Sequence, residues 1–284
     1  MKRFTGVFIA MFLISAVSGW AQVTTARSFA LHGTPKYSDN FSHFGYVNPN
    51  ARKGGTLRLH SIGTYDNFHR YALRGIAAEG SADLYDQLMT GNDDEVDVVY
   101  PLIAEKMEYP ADYSWVIFYL NPGARFQDGV PITAEDVVFS FNTFIEKGVP
   151  QFRQYYSNVD DVTALDRHRV KFTLKEGNKE MVLSLATNKV LPKHYWETRD
   201  FSEPLNEVPV GSGPYRISDY RIGQYVVYER VKDYWARELP VNKGRDNFDY
   251  IRYDYYRDEN VAFEAFKAGE YDFRLENIAK NWAT

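Results

Sequence analysis

Cysteine is absent from all 284 residues. No disulfide and no thiol nucleophile is therefore available, and no lipobox cysteine exists to carry a lipid anchor. Histidine is scarce. His32, His43, His60, His69, His168 and His194 are scattered without a zinc-type spacing, so no metal ligands are assigned. The chain lacks a Walker-type phosphate loop, and Gly211-Ser212-Gly213 lacks the pentapeptide of a nucleophile elbow and runs into Pro214. Asp93-Asp94-Glu95-Val96-Asp97 lacks the glycine and distal glutamate of a calcium loop and reads as a solvated acidic loop. Asp160-Asp161 are sequence neighbours, an arrangement that rarely faces two carboxylates across a scissile bond. No catalytic residue and no cofactor is assigned. Long apolar runs are missing too, apart from one between about Val7 and Val17 that is shorter than a membrane span needs.

That short run has telling flanks. Met1-Lys2-Arg3 precedes it and Ser18-Gly19-Trp20-Ala21 follows, the pattern of a secretory signal peptide over 1–21 cleaved before Gln22. Export without a lipid anchor predicts a soluble periplasmic protein, stable without disulfides if its core is large. Loss of Lys2 and Arg3 leaves 31 of the 33 basic residues against 38 acidic ones, a net charge of −7. Such an acidic balance argues against nucleic acid as partner. Aromatics are abundant, with 22 Tyr, 19 Phe and 5 Trp. Most belong in a core, and an excess of Tyr and Trp suits a ligand cleft.

The patterning is mixed. Residues 56–61, 115–120, 169–174, 215–220, 225–231 and 248–256 read as strands, with a further strand starting at 271–275. Asn121-Pro122-Gly123 and Asp128-Gly129 supply turns. Thr133 is placed to cap a helix carrying Glu135 and Asp136 in its first turn, with Val137, Val138, Phe141, Phe144 and Ile145 on one face and Gly148 and Pro150 at its end. Ser81 is read as the cap of a helix over 83–89, and 179–187 as a short helix. Residues 259–268 make another, with Val261, Ala262, Ala265 and Phe266 inward and Gly269 as its stop. A loop-rich arm covers 31–55. Strands and helices without regular βαβ alternation indicate an α/β or α+β chain with a mixed sheet.

Three separated stretches carry a resemblance: Phe126-Gln127-Asp128-Gly129-Val130-Pro131-Ile132-Thr133-Ala134-Glu135-Asp136-Val137, Gly211-Ser212-Gly213-Pro214-Tyr215, and Ala262-Phe263-Glu264-Ala265-Phe266-Lys267-Ala268-Gly269-Glu270-Tyr271-Asp272. They resemble the extracellular solute-binding family 5 of ABC importers. His43-Phe44-Gly45-Tyr46-Val47-Asn48-Pro49, Lys53-Gly54-Gly55, 66–75 and Asn281-Trp282-Ala283 are similar to its YejA-type oligopeptide-binding branch. Arg52 departs from that branch's usual Pro, and Gly45 from its usual Asp.

The resemblance implies a periplasmic binding protein of type II, with two lobes that close over ligand. It implies an oligopeptide ligand, including cell-wall murein peptides, gripped through its main chain, and ABC permease subunits in the inner membrane as partners. A monomer without enzymatic activity is expected. Family members are longer, so the chain reads as an N-terminal fragment whose second lobe is largely missing. The implied division is 22–65 and 191–275 for the first lobe, 66–190 for an inserted subdomain, and 276–284 for the start of the crossover. Other solutes (an oligosaccharide or a chelated metal), a secreted hydrolase, and a chaperone or sensor role remain as alternatives.

Candidate ligand contacts are Tyr65, Asp66, Asn67, Phe68, Arg70 and Tyr71, which follow the first long strand, where open α/β sheets place ligands. Exposed loop packing is the alternative for this group. Arg274, Glu276, Asn277 and Trp282 form a second group near the expected hinge, with structural contacts between lobes as the alternative.

Overall fold

The computed structural model describes residues 22–282. The expected signal peptide over 1–21 lies outside them. Strands β1 (Val23–Ala26) and β2 (Phe29–Ala30) precede the arm, and β3 (Thr56–Ile62) follows it. Then come β4 (Met89–Thr90), β5 (Val98–Pro101), β6 (Ala104–Pro110) and β7 (Trp115–Leu120). Helices α1 (Ala134–Lys147) and α2 (Pro150–Tyr155) lead into β8 (Val159–Asp166) and β9 (Arg169–Leu174). After α3 (Lys179–Ala186) and α4 (Lys193–Trp196), the hairpin β10 (Tyr215–Arg221) and β11 (Tyr225–Arg230) is followed by β12 (Tyr250–Tyr256) and α5 (Glu259–Lys267).

These strands build a five-stranded sheet in the order β1-β6-β7-β9-β8, a four-stranded sheet β10-β11-β12-β3, and a small sheet β2-β5-β4. The first is antiparallel throughout. Its edge strand β1 comes from the start of the described chain, far from the 104–174 stretch that supplies the rest. In the four-stranded sheet β12 runs parallel to β3 and antiparallel to β11. The mixed α/β character expected from the sequence is present.

Period-two alternation explains the larger sheet. In β7, Val116, Phe118 and Leu120 are buried while the residues between them stay half-exposed, and β9 does the same with Val170, Phe172 and Leu174. The register sets Phe118 opposite Val170 and Val116 opposite Phe172. Helix α1 covers this face, with Phe141 edge-on to Phe172 at 5.4 Å. Its start is fixed by Thr133, whose backbone N–H and hydroxyl both donate to the Asp136 carboxylate, at 2.9 and 2.7 Å. Such a cap contributes about 1 kcal/mol.

The Gly211-Ser212-Gly213 stretch is a tight crossover. A Cβ on Gly211 would sit 2.3 Å from the Leu84 carbonyl oxygen, and one on Gly213 would sit 2.7 Å from that of Asp83. The backbone N–H groups of Ser212 and Gly213 both donate to Leu84 O, at 2.9 and 3.0 Å. The Asp86 N–H donates to Ser212 Oγ at 2.8 Å. The Asp86 carboxylate accepts from Tyr234 Oη at 2.8 Å and from Trp235 Nε1 at 2.9 Å. Burial pushes this carboxyl up to about 7, against the two hydrogen bonds and the nearby Lys189, which pull it down.

Several expectations are corrected. Instead of a helix over 83–89, the chain makes one 3-10 turn at Ser81–Leu84, preceded by Gly80 in a left-handed conformation. The Leu84 carbonyl that a helix would use is taken by the crossover, and Leu88 N–H donates to Asn188 O instead. Residues 271–275 form no strand; Asp272 N–H donates to Arg58 O of β3, and its carboxylate, in place of a main-chain carbonyl, accepts the Arg58 N–H at 2.7 Å. In α5, Ala262 and Ala265 are buried as expected, but Val261 and Phe266 are exposed. The acidic loop does more than face solvent. Asp94 accepts from Tyr37 Oη and Lys36 Nζ, and Glu95 from Tyr100 Oη and the Lys36 N–H, pinning the arm. Phe44 of the arm is fully buried against Tyr37, Phe41 and Tyr100.

Candidate functional site

Parallel pairing brings the C-terminal ends of β3 and β12 to one edge of the four-stranded sheet, Ile62 beside Tyr256. The β10–β11 hairpin tip reaches the same edge. Tyr65 Oη donates to Tyr225 O at 2.7 Å, and a Cβ on Gly223 would lie 2.7 Å from Thr64 Oγ1. Ile62, Tyr220 and Ile222 are exposed apolar side chains at this edge, and Phe273, Leu275 and Trp282 are exposed in the segment after α5, which meets β3 at Arg58 and His60.

The segment after α5 is an extended stretch with its polarity reversed. Leu275 is 72% exposed and Phe273 60%, whereas the side chains of Arg274 and Glu276 are 3% and 11% exposed. Arg274 donates through Nε to Glu276 at 2.8 Å, through Nη2 to Glu259 at 2.9 Å and through Nη1 to Tyr271 Oη at 3.2 Å. Glu276 also accepts from Asn281 Nδ2 at 3.0 Å and the Ile278 N–H at 2.6 Å. The Asn281 hydrogen bond, then that of Arg274, holds its carboxyl down to about 2. Tyr271 anchors the start of the segment, stacked on His60 at 4.6 Å. The main-chain N–H and C=O groups of 273–277 have no hydrogen-bond partner among the described residues.

The first candidate group is divided by this structure. Tyr65, Asn67 and Phe68 are at most 1% exposed, so their side chains pack the interior and offer no surface to a ligand. The reason is that the chain folds back after β3. Asn67 Oδ1 accepts the His69 N–H at 2.8 Å, and Phe68 meets Tyr220 edge-on at 4.8 Å. Asp66 is exposed and accepts from Asn67 Nδ2 and the Ile76 N–H, which in that order hold its carboxyl below the usual range. Tyr71 is half-buried on Phe144 and Phe201. Arg70 is exposed on a cavity of about 440 Å³ that Tyr253 also lines.

The second group lies across the sheet from that cavity. Tyr253 pairs with Leu59, whereas Tyr271 stacks on the next residue, His60, whose side chain points to the opposite face. Arg274, Glu276, Asn277 and Trp282 therefore belong to the edge and to the α5 side, and the structure does not unite them with Arg70. Of these four, Asn277 and Trp282 are exposed and Arg274 and Glu276 hold the segment in place. Ile62, Tyr220, Ile222 and Leu275 are edge residues that the sequence reading missed. The parallel partner of β3 would have pointed to them, but that partner is 194 residues further along the chain (Tyr250 opposite Thr56) and leaves no local pattern.

The model of bacterial extracellular solute-binding proteins, family 5, middle region, matches residues 98–284. The chain belongs to this family. A YejA protein of Escherichia coli, described as uncharacterized, is 52% identical over 98% of the chain and 46% of its own length. A probable peptide-binding protein YejA of Agrobacterium fabrum is 39% identical over 96% of the chain and 46% of its own length. Among solved structures, the oligopeptide-binding protein AppA of Bacillus subtilis, in complex with a nonapeptide, superposes with a TM-score of 0.64 at 25% identity, over 78% of this chain and 44% of AppA. The chain thus spans less than half the length of these family 5 relatives. Among the described residues no helix is long and apolar enough to cross a membrane.

Proposed function

We propose that this chain is part of the substrate-binding component of an ABC importer, an exported receptor that captures oligopeptides and passes them unaltered to a membrane permease. The observation that carries the reading is the unpaired main chain of 273–277 at an exposed apolar edge. An extended peptide laid along that stretch would satisfy both backbones, each hydrogen bond contributing about 1 kcal/mol, while Leu275 and Phe273 bury apolar surface. Main-chain pairing is common to all peptides, which accounts for tolerance of sequence.

The residues divide by role in this proposal. Arg274 and Glu276 position the stretch, Asn277 and Trp282 face the ligand, and Asp66, Arg70 and Tyr71 border the turn after β3. Family membership, the peptide-binding description of the Agrobacterium relative and the nonapeptide in AppA support the choice of peptide. Relatives more than twice as long as the matched region have room for a second lobe that closes on the same edge. The division into a first lobe and a subdomain inserted at 66–190 belongs to the same proposal.

Calorimetry of the full-length protein against peptide, muropeptide and oligosaccharide pools tests it. Saturable heat with peptides, and recovery of those peptides intact, is the expected result. Binding of sugars with no response to peptides would overturn the ligand class, and cleavage of the peptides would overturn the receptor role.

A further inference from the structure

At the other end of the four-stranded sheet, two cavities of about 230 and 360 Å³ share Pro214, Arg245 and Asp246 and so form one groove. It starts where β12 and β3 begin, about 20 Å from the ends of those strands at Tyr256 and Ile62, and Ile251 and Tyr253 line it on the face of the sheet opposite His60 and Tyr271. Its first part is lined by Lys53, Arg230, Lys232, Arg237 and Arg245, against the two acids Glu238 and Asp246. This crowding of positive charge stands out in a chain of net charge −5.

Those cations are incompletely satisfied. The side chains of Lys232 and Arg245 make no hydrogen bond or ion pair among the described residues, although Arg245 is half-buried. Lys53 Nζ donates only to uncharged oxygens, the carbonyls of Arg245 and Asp246 and Asn247 Oδ1. Arg230 pairs with Asp249 at 2.5 Å, yet its buried Nε has no partner. Asp246 is the buried acid among them: burial raises its carboxyl above the usual range, and Arg245, Lys53 and Arg230 pull it down, so one carboxyl is shared by three cations. A half-buried guanidinium without an acceptor is costly, and an anion placed among like charges removes both penalties. The adjoining part of the groove is lined by Leu84, Tyr215, Tyr228, Ile251 and Tyr253, with Asp83 as the acid at its side away from the cations' cavity.

We propose that this groove is a second binding site, taking a small anion with an apolar body. Its carboxylate or phosphate head lies among Lys53, Lys232, Arg237 and Arg245, and its body rests against Tyr215, Tyr228 and Tyr253. The site is separate from the peptide edge and stands whether or not peptide is the ligand there.

Calorimetry of the full-length protein with benzoate, phenyl phosphate, inorganic phosphate and benzyl alcohol tests the assignment. Benzoate or phenyl phosphate is expected to bind saturably, and the stronger of the two identifies the head group. Inorganic phosphate should bind more weakly and benzyl alcohol not at all. Arg245→Gln should weaken binding at least tenfold. Lys232→Gln, a change at an exposed side chain without contacts, should weaken it severalfold and covers the case in which the first variant fails to fold. No saturable heat with either amphiphilic anion, or unchanged affinity in a folded variant, would overturn the proposal.

Discussion

Strand β7, a run of apolar and aromatic residues, and the stretch 273–277, where apolar and polar residues alternate, end in opposite states. Val116, Phe118 and Leu120 of β7 are buried, and its main chain is paired on both sides, with β6 and β9. Phe273 and Leu275 face outward, Arg274 and Glu276 face inward, and the main chain is unpaired. Alternation reports that a stretch is extended, not which face meets protein. In β7 the apolar face has partners within the chain and contributes to stability. In 273–277 the apolar face is left open and the charged face fastens the stretch from behind.

The sharpest way to break this contrast is to remove the buried partner. Phe118→Ala leaves a hole beneath α1 and should lower unfolding free energy by about 3–5 kcal/mol, read from denaturant midpoints. A loss below about 1 kcal/mol would mean that the core is less tightly packed than its geometry indicates.

The buried crossover and the 273–277 stretch hold carboxylates shifted in opposite directions. An aspartate in the unfolded chain ionises near pH 4, while buried Asp86 keeps its proton up to about 7. Between those values the folded protein binds more protons than the unfolded one, so this group makes stability fall as pH rises from about 4 to about 7. Asp86→Asn should flatten that slope in thermal melts. Glu276 has the reverse sign: its contribution is present above the ordinary glutamate range and is lost as pH falls toward about 2.

Smallest in stability is the edge itself. Leu275→Asp should change unfolding free energy by less than about 0.5 kcal/mol, as surface substitutions do, while weakening peptide binding at least tenfold in calorimetry. Equal effects on both quantities would make Leu275 a core residue of the longer protein.

Much of the scaffold was legible because its determinants are local. Thr133 with Asp136 starts α1, the run of β-formers marks β7, and alternation marks β9 as extended. What was not legible depended on distant partners. Ser81 and the apolar spacing after it read as a helix, but Ser212 and Gly213 occupy the Leu84 carbonyl from more than a hundred residues away. Tyr65, Asn67 and Phe68 read as ligand contacts, but the hairpin tip at Tyr220 and Tyr225 covers Tyr65 and Phe68, and the local fold-back buries Asn67. Asn277 and Trp282, expected near the hinge, are exposed, whereas Ile62 and Ile222 come to one edge only once β12 pairs with β3.

The central claim is that peptide pairs with the main chain of 273–277. Hydrogen exchange of the full-length protein, with and without a bound peptide, measures those amides directly. Slower exchange across 273–277 on peptide binding is the predicted result. Tight peptide binding that leaves the exchange of these amides unchanged would contradict it.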